Sequence, residues 1–203
     1  MRMTIFALLA LAGSAAGAGE LPFLKPTVSY SGMRIITTPE GDFRQKVYWS
    51  PEKVRTETDM PGMSMVNIVR QDLGVMWILT PDGGVCLEQT LDENEAMAMS
   101  PAYEDDDVEF KKLGEETVDG LPTTKYEVTS TDDLGTNRAL FWVTEENIPV
   151  RMEVDPASTD DSYRVVIRLT ELQTGPLSDS LFETKVQCRP MPAPPTAKPP
   201  QSP

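Results

Sequence analysis

Two stretches, VMWILT (75–80) and RALFWVTE (138–145), are apolar on both sides of an extended chain. Trp77 and Leu79 alternate with Met76 and Ile78, and Leu140 and Trp142 alternate with Ala139 and Phe141. Successive side chains of a strand point to opposite faces, so each of these strands has to be covered twice. Around them the chain is a succession of short β-rich runs: 28–38, 43–50, 53–60, 64–71, 75–80, 85–90, 108–118, 123–130, 138–145, 149–154 and 162–172. Turn residues separate them, among them PEGD (39–42), Pro81-Asp82-Gly83-Gly84 and Asp119-Gly120, and links this short make antiparallel hairpins. Strand TTKYEVTS differs, because Tyr126 and Val128 alternate with Lys125 and Glu127 in the pattern of one wet face. Helix is scarce: a short piece over 92–99 and a turn in LSDSLFE (177–183) are all that read as helical. A sheet that curls around itself, or around a guest, supplies the missing second layer. The residues therefore point to a mostly β fold, a single curved antiparallel sheet.

The ends bound the domain. MRMTIFALLALAGSAAGAGE has a positive Arg2, an apolar run from Ile5 to Ala12 and the small-x-small pattern Ala16-Gly17-Ala18. This reads as a signal peptide over 1–18, cleaved after Ala18, and too short for a membrane span of ~20 apolar residues. Ser14 stands where a lipoprotein signal would carry its acylated Cys, so a soluble periplasmic product is expected. A short lead (19–27), a β domain (28–188) and a disordered Pro-rich tail (189–203) follow. Cys86 and Cys188 are the only cysteines. In an oxidising compartment an isolated pair is most simply one disulfide, the alternative being two free thiols.

Composition removes several functions. Eighteen Lys+Arg against 32 Asp+Glu give a net charge of −14, which repels nucleic-acid phosphates and argues against simple electrostatic attraction to a surface of anionic lipid headgroups. There is no histidine, hence no His base and no Cys/His zinc site. Ser50-Pro51-Glu52-Lys53 matches S-x-x-K, but strands flank it and the partner motifs are missing. The acidic run Glu104 to Asp107 lacks the spacing and glycine of a calcium loop and reads as a solvated face. No enzyme, no cofactor and no stable membrane insertion are expected.

Several pieces follow one another in order: Lys53-Val54-Arg55, Val75-Met76-Trp77, Gly114 to Pro122 with Tyr126, Trp142 with Pro149-Val150-Arg151, then LSDSLFE. Over residues 28 to 183 this ordered set resembles a family of bacterial exported domains of unknown function, similar to the lipoprotein-localisation (LolA/LolB-like) superfamily. The resemblance implies a half-barrel, LolA-like, with one or two short helices capping an apolar concave face that receives acyl chains of lipids or lipoproteins. Trp49, Met76, Trp77, Leu79, Phe141 and Trp142 are then candidates for its wall and core. Which of them face the cavity depends on register, since a one-residue slip reverses every side chain.

DMPGMSM (59–65) sets Met60, Met63 and Met65 among turn residues. Flexible thioether chains suit a lipid-facing lip, with Met97 and Met99 as a second rim. The same three sulfurs suit Cu(I) in an envelope stress protein, or simply cap a core. The expected function is non-catalytic binding of a lipid or lipoprotein acyl group. The alternatives are the copper protein and an envelope interaction module that uses a sheet edge or the Pro-rich tail.

Overall fold

The protein is described by a computed structural model over residues 17–18, 25–60, 63–82, 84–91, 108–132, 135–155 and 164–191. Its strands are β1 (Gly17–Ala18), β2 (Tyr30–Thr38), β3 (Gly41–Ser50), β4 (Lys53–Met60), β5 (Met63–Arg70), β6 (Val75–Leu79) and β7 (Cys86–Thr90). The second half adds β8 (Val108–Val118), β9 (Leu121–Asp132), β10 (Gly135–Val143), β11 (Pro149–Asp155), β12 (Val165–Thr174) and β13 (Arg189–Pro190). All lie in one open sheet of order β1-β8-β9-β10-β11-β12-β2-β3-β4-β5-β6-β7-β13. Neighbours are antiparallel except β13, which runs parallel to β7. β7 and β8 are consecutive in the chain yet stand near opposite ends of the sheet.

Hairpin chemistry explains the meander. Asp119 (φ 50°) and Gly120 (φ 83°) form the two-residue turn between β8 and β9, both with the positive φ that matches strand twist. Ser50 and Lys53 are directly paired across the β3–β4 turn, so the S-x-x-K match sits on a hairpin and not at a helix start. Opposite Gly32 the β12 strand bulges between Thr170 and Gln173. A Cβ at Gly32 would stand 2.8 Å from Leu169 Cδ1 and 2.9 Å from the Thr170 carbonyl oxygen, so only glycine lets β2 lie this close to β12.

One expectation is corrected. Among the described residues no α-helix caps a face of the sheet; the helical pieces are the 3-10 turns Gln71–Leu73 and Asp179–Phe182. The expected helix over 92–99 and the acidic run 104–107 lie outside the described residues, as do Met97 and Met99. The physical reason is the way each two-sided strand is covered. On β6, Trp77 and Leu79 lie under the C-terminal segment, where Phe182 packs with Ile68, Leu79 and Cys86, joined by Leu177, Leu181 and Val186. On β10, Leu140 and Trp142 pack with Val118 and Leu121 of the β8–β9 hairpin. Irregular chain and a hairpin tip thus replace the helices.

The C-terminal segment is held by more than packing. Cys86 and Cys188 form a disulfide, and Met191 donates its backbone N–H to the Glu88 carbonyl at 2.7 Å. Arg55 donates to the Leu181 carbonyl and Arg70 to the Phe182 carbonyl, each at 3.2 Å. Lys53 reaches Asp179 at 2.8 Å and holds that carboxyl below the usual carboxylate range. Two motifs far apart in sequence, Lys53-Val54-Arg55 and LSDSLFE, are therefore the two sides of one clasp.

Candidate functional site

The pairing register sorts the sheet into two unlike faces. Tyr126 opposes Phe141, Phe141 opposes Met152, Met152 opposes Ile167, Ile167 opposes Ile36, and Ile36 opposes Phe43. Directly paired residues share a face, so this is one apolar row across β9, β10, β11, β12, β2 and β3, about 24 Å long at ~4.8 Å per strand. Phe141 is buried, and the other five are half-buried. Beneath and beside the row lie Val108, Val128, Ala139 and Val143, all buried. Across the rest of the sheet the same face carries Val47, Trp49, Val54, Met65, Val69, Met76, Ile78 and Leu87.

The cavity candidates do not come together. Trp49, Met65, Met76 and Phe141 stand on this apolar face, whereas Trp77, Leu79 and Trp142 stand on the opposite one. Trp49 stacks on Tyr30 with ring centroids 5.9 Å apart. Leu79 is core under the C-terminal segment, and Trp77 donates its indole N–H to Glu88 at 2.9 Å with the Arg70 guanidinium 5.9 Å over its ring. Met60 and Met63 pair directly, at register positions of the apolar face; their side chains lie outside the described residues. Met65 accepts a hydrogen bond on sulfur from Asn67 at 3.5 Å.

Trp142 is a structural keystone on the opposite face. It is 4% exposed, lies between the Lys125 ammonium at 4.6 Å and the Arg151 guanidinium at 5.0 Å, and donates its indole N–H to Glu116 at 2.6 Å. Glu116 also meets Lys125 at 3.0 Å. The motif residues Gly114 to Pro122, Trp142 and Arg151 thus gather around one indole. Buried Glu153 is neutralised in the same way, between Arg151 and Arg164.

The Trp142 and Lys125 contacts hold the Glu116 carboxyl below the usual range. A depressed folded-state pKa stabilises above the unfolded value of ~4.3, and that share fades as pH falls through the folded value. Glu116→Gln should therefore lower the melting temperature slightly at neutral pH, with the gap to the parent closing in acid. Melting curves at stepped pH measure this; a gap independent of pH would contradict it.

One further concavity has no counterpart in the sequence motifs. An open groove of about 430 Å³ lies where the β8–β9 hairpin overshoots the β10–β11 turn, with Asp119 and Leu121 facing Ile35, Leu169, Glu171 and Leu172. β9 pairs with β10 only from Thr124 onward, which leaves this gap beside the β12 bulge. Its volume falls within the usual ~300–1,000 Å³ of ligand clefts, but none of the candidates read from the sequence lines it.

Comparison with known proteins places the architecture. An uncharacterized conserved protein from Thermus thermophilus superposes with a TM-score of 0.54 at 9% identity, over 81% of this chain and 91% of its own. A chain of the Pseudomonas aeruginosa MucA/MucB complex superposes with a TM-score of 0.50 at 15% identity, over 78% of this chain and 56% of its own. This protein therefore spans little more than half of that second relative, and both likenesses are of fold. The Mycobacterium tuberculosis lipoprotein LppX is more distant, with a TM-score of 0.44 at 13% identity over 74% and 89% of the two chains. No curated protein matches the sequence. The family-level reading of the motifs holds: residues 32–152, more than half of the chain, match the domain of unknown function DUF4412, and the chain belongs to that family.

Proposed function

We propose that the protein is a non-catalytic, exported envelope protein that binds a lipid or lipoprotein acyl chain against the apolar face of its sheet, which curls as a half-barrel around the ligand. The observation that supports this is the row Tyr126–Phe141–Met152–Ile167–Ile36–Phe43, a continuous apolar track that crosses six strands and whose members, buried Phe141 apart, keep part of their surface accessible. An apolar track that keeps accessible surface over several strands is the kind of surface on which an apolar ligand docks. The signal pattern cleaved after Ala18 and the Cys86–Cys188 bond support a periplasmic location.

Delipidated protein titrated with palmitate in a calorimeter tests the reading. Aspartate at Ile36 and Phe43 together should weaken palmitate about a hundredfold. Losing contact with three or four methylenes at ~0.8 kcal/mol each costs about 2–3 kcal/mol. Aspartate at Met60, Met63 and Met65 should act in the same direction if those residues form the lip. A folded Ile36→Asp, Phe43→Asp variant with unchanged affinity would remove the acyl reading. The same-face register of the three methionines also suits the Cu(I) alternative. Leucine at the three positions separates the two, since it keeps the apolar lip and removes the sulfurs.

A further inference from the structure

The apolar face carries few charges. Among the described side chains of β2–β7 and β9–β12, outside the β12 bulge, the register puts a single charged residue on that face, Arg34. On β8 it adds Lys112 and Glu115, which pair with one another at 3.4 Å. No described carboxylate pairs with Arg34, although the chain has a net charge of −14.

Its partners are neutral. Arg34 Nη1 donates to Gln45 Oε1 at 3.0 Å, and Gln45 Nε2 in turn donates to Thr58 Oγ1 at 3.1 Å. The hydroxyl of buried Tyr30 also lies beside the guanidinium, with the Tyr30 ring stacked on Trp49. The guanidinium is thus fixed in place while most of its five donors remain free. A half-buried cation with no counter-charge is costly to hold in apolar surroundings, and its planar fork fits a carboxylate or phosphate. Arg34 stands two residues from Ile36, about 7 Å along β2, so the charge sits at the flank of the apolar row.

We propose that Arg34, braced by Gln45 and Tyr30, binds the anionic headgroup of an amphiphile whose acyl chain lies along the Ile36 row. This rests on the acyl reading and adds the chemistry of the head: one carboxylate or phosphate, with the tail at right angles to the strands.

Three probes test it by calorimetry on the disulfide-bonded, delipidated protein: palmitate, hexadecanol with the same tail and no charge, and palmitoyl lysophosphatidate with a phosphate head. The unsubstituted protein should bind the charged probes about tenfold or more tighter than hexadecanol. Arg34→Gln should erase that preference and leave hexadecanol unchanged, and Arg34→Lys should restore part of it. The tighter of the two charged probes identifies the natural head as carboxylate or phosphate. Equal binding of palmitate, lysophosphatidate and hexadecanol by the unsubstituted protein overturns the Arg34 assignment and leaves the acyl reading standing. So does a charge preference that survives in folded Arg34→Gln. Binding of none of the three overturns both.

Discussion

Alanine at both Cys86 and Cys188 is expected to cost about 4–5 kcal/mol of unfolding free energy, the largest single effect in this protein. The bond joins residues 102 apart in sequence, and closing a loop of that length removes about 4.7 kcal/mol of chain entropy from the unfolded state. The bond also fastens the C-terminal segment over Ile68, Leu79 and Cys86, so its loss frees a piece that buries core as well as a crosslink. At ~2–4 °C per kcal/mol for a domain of this size, the melting temperature should fall by roughly 10–15 °C. Urea unfolding of oxidised, reduced and double-alanine protein measures it. A midpoint that does not move would mean that the segment is not part of the cooperative unit.

Phe182→Ala should cost about 3–5 kcal/mol, the usual loss when a buried phenylalanine leaves a cavity. Phe182 is 1% exposed and sits on a four-residue 3-10 turn whose carbonyls receive Arg55 and Arg70. The two predictions are coupled. Each detaches the same segment, so the triple variant should lose clearly less than the sum of the two effects. Full additivity in a double-mutant cycle would show that disulfide and aromatic plug act on separate parts of the fold.

Both effects bear on function through the face on which the clasp sits. The clasp formed by Lys53, Arg55, Arg70 and the 177–188 segment closes one side of β4–β7. The other side of the sheet carries buried core residues such as Val47 and Phe141 together with the partly accessible row from Tyr126 to Phe43, with Arg34 beside it. The clasp lies on the face opposite the proposed binding track, so the clasp variants should melt early yet bind palmitate normally below their transition.

The motifs read from the sequence are real, but most of them serve packing. Lys53 and Arg55 hold the segment that contains LSDSLFE, and Arg151 and Glu116 enclose Trp142. Of the residues expected to line a cavity, Trp77, Leu79 and Trp142 belong to the sealed side. Arg34 escapes a reading of the sequence because one arginine in YSGMRIITT looks ordinary. Its significance comes from the absence of acids on the same face of the neighbouring strands, the β12 bulge apart, and that absence exists only once the strands are placed side by side.

The approximate positions of β2 to β12, the Asp119-Gly120 turn and the Cys86–Cys188 pair follow from the sequence by itself, because alternation of period two, turn chemistry and thiol count are local or compositional properties of the chain. The faces belong to the tertiary structure. Ile36 meets Phe43 seven residues on, but meets Ile167 from the far end of the domain. Further along the same pair of strands the β12 bulge moves the partners of Ser31 and Tyr30 by a register step that no periodicity in either strand records. A side chain's parity is written in its own strand, whereas its company is set by non-local pairing. Only that pairing decided that an uncharged track crosses six strands beside a single arginine.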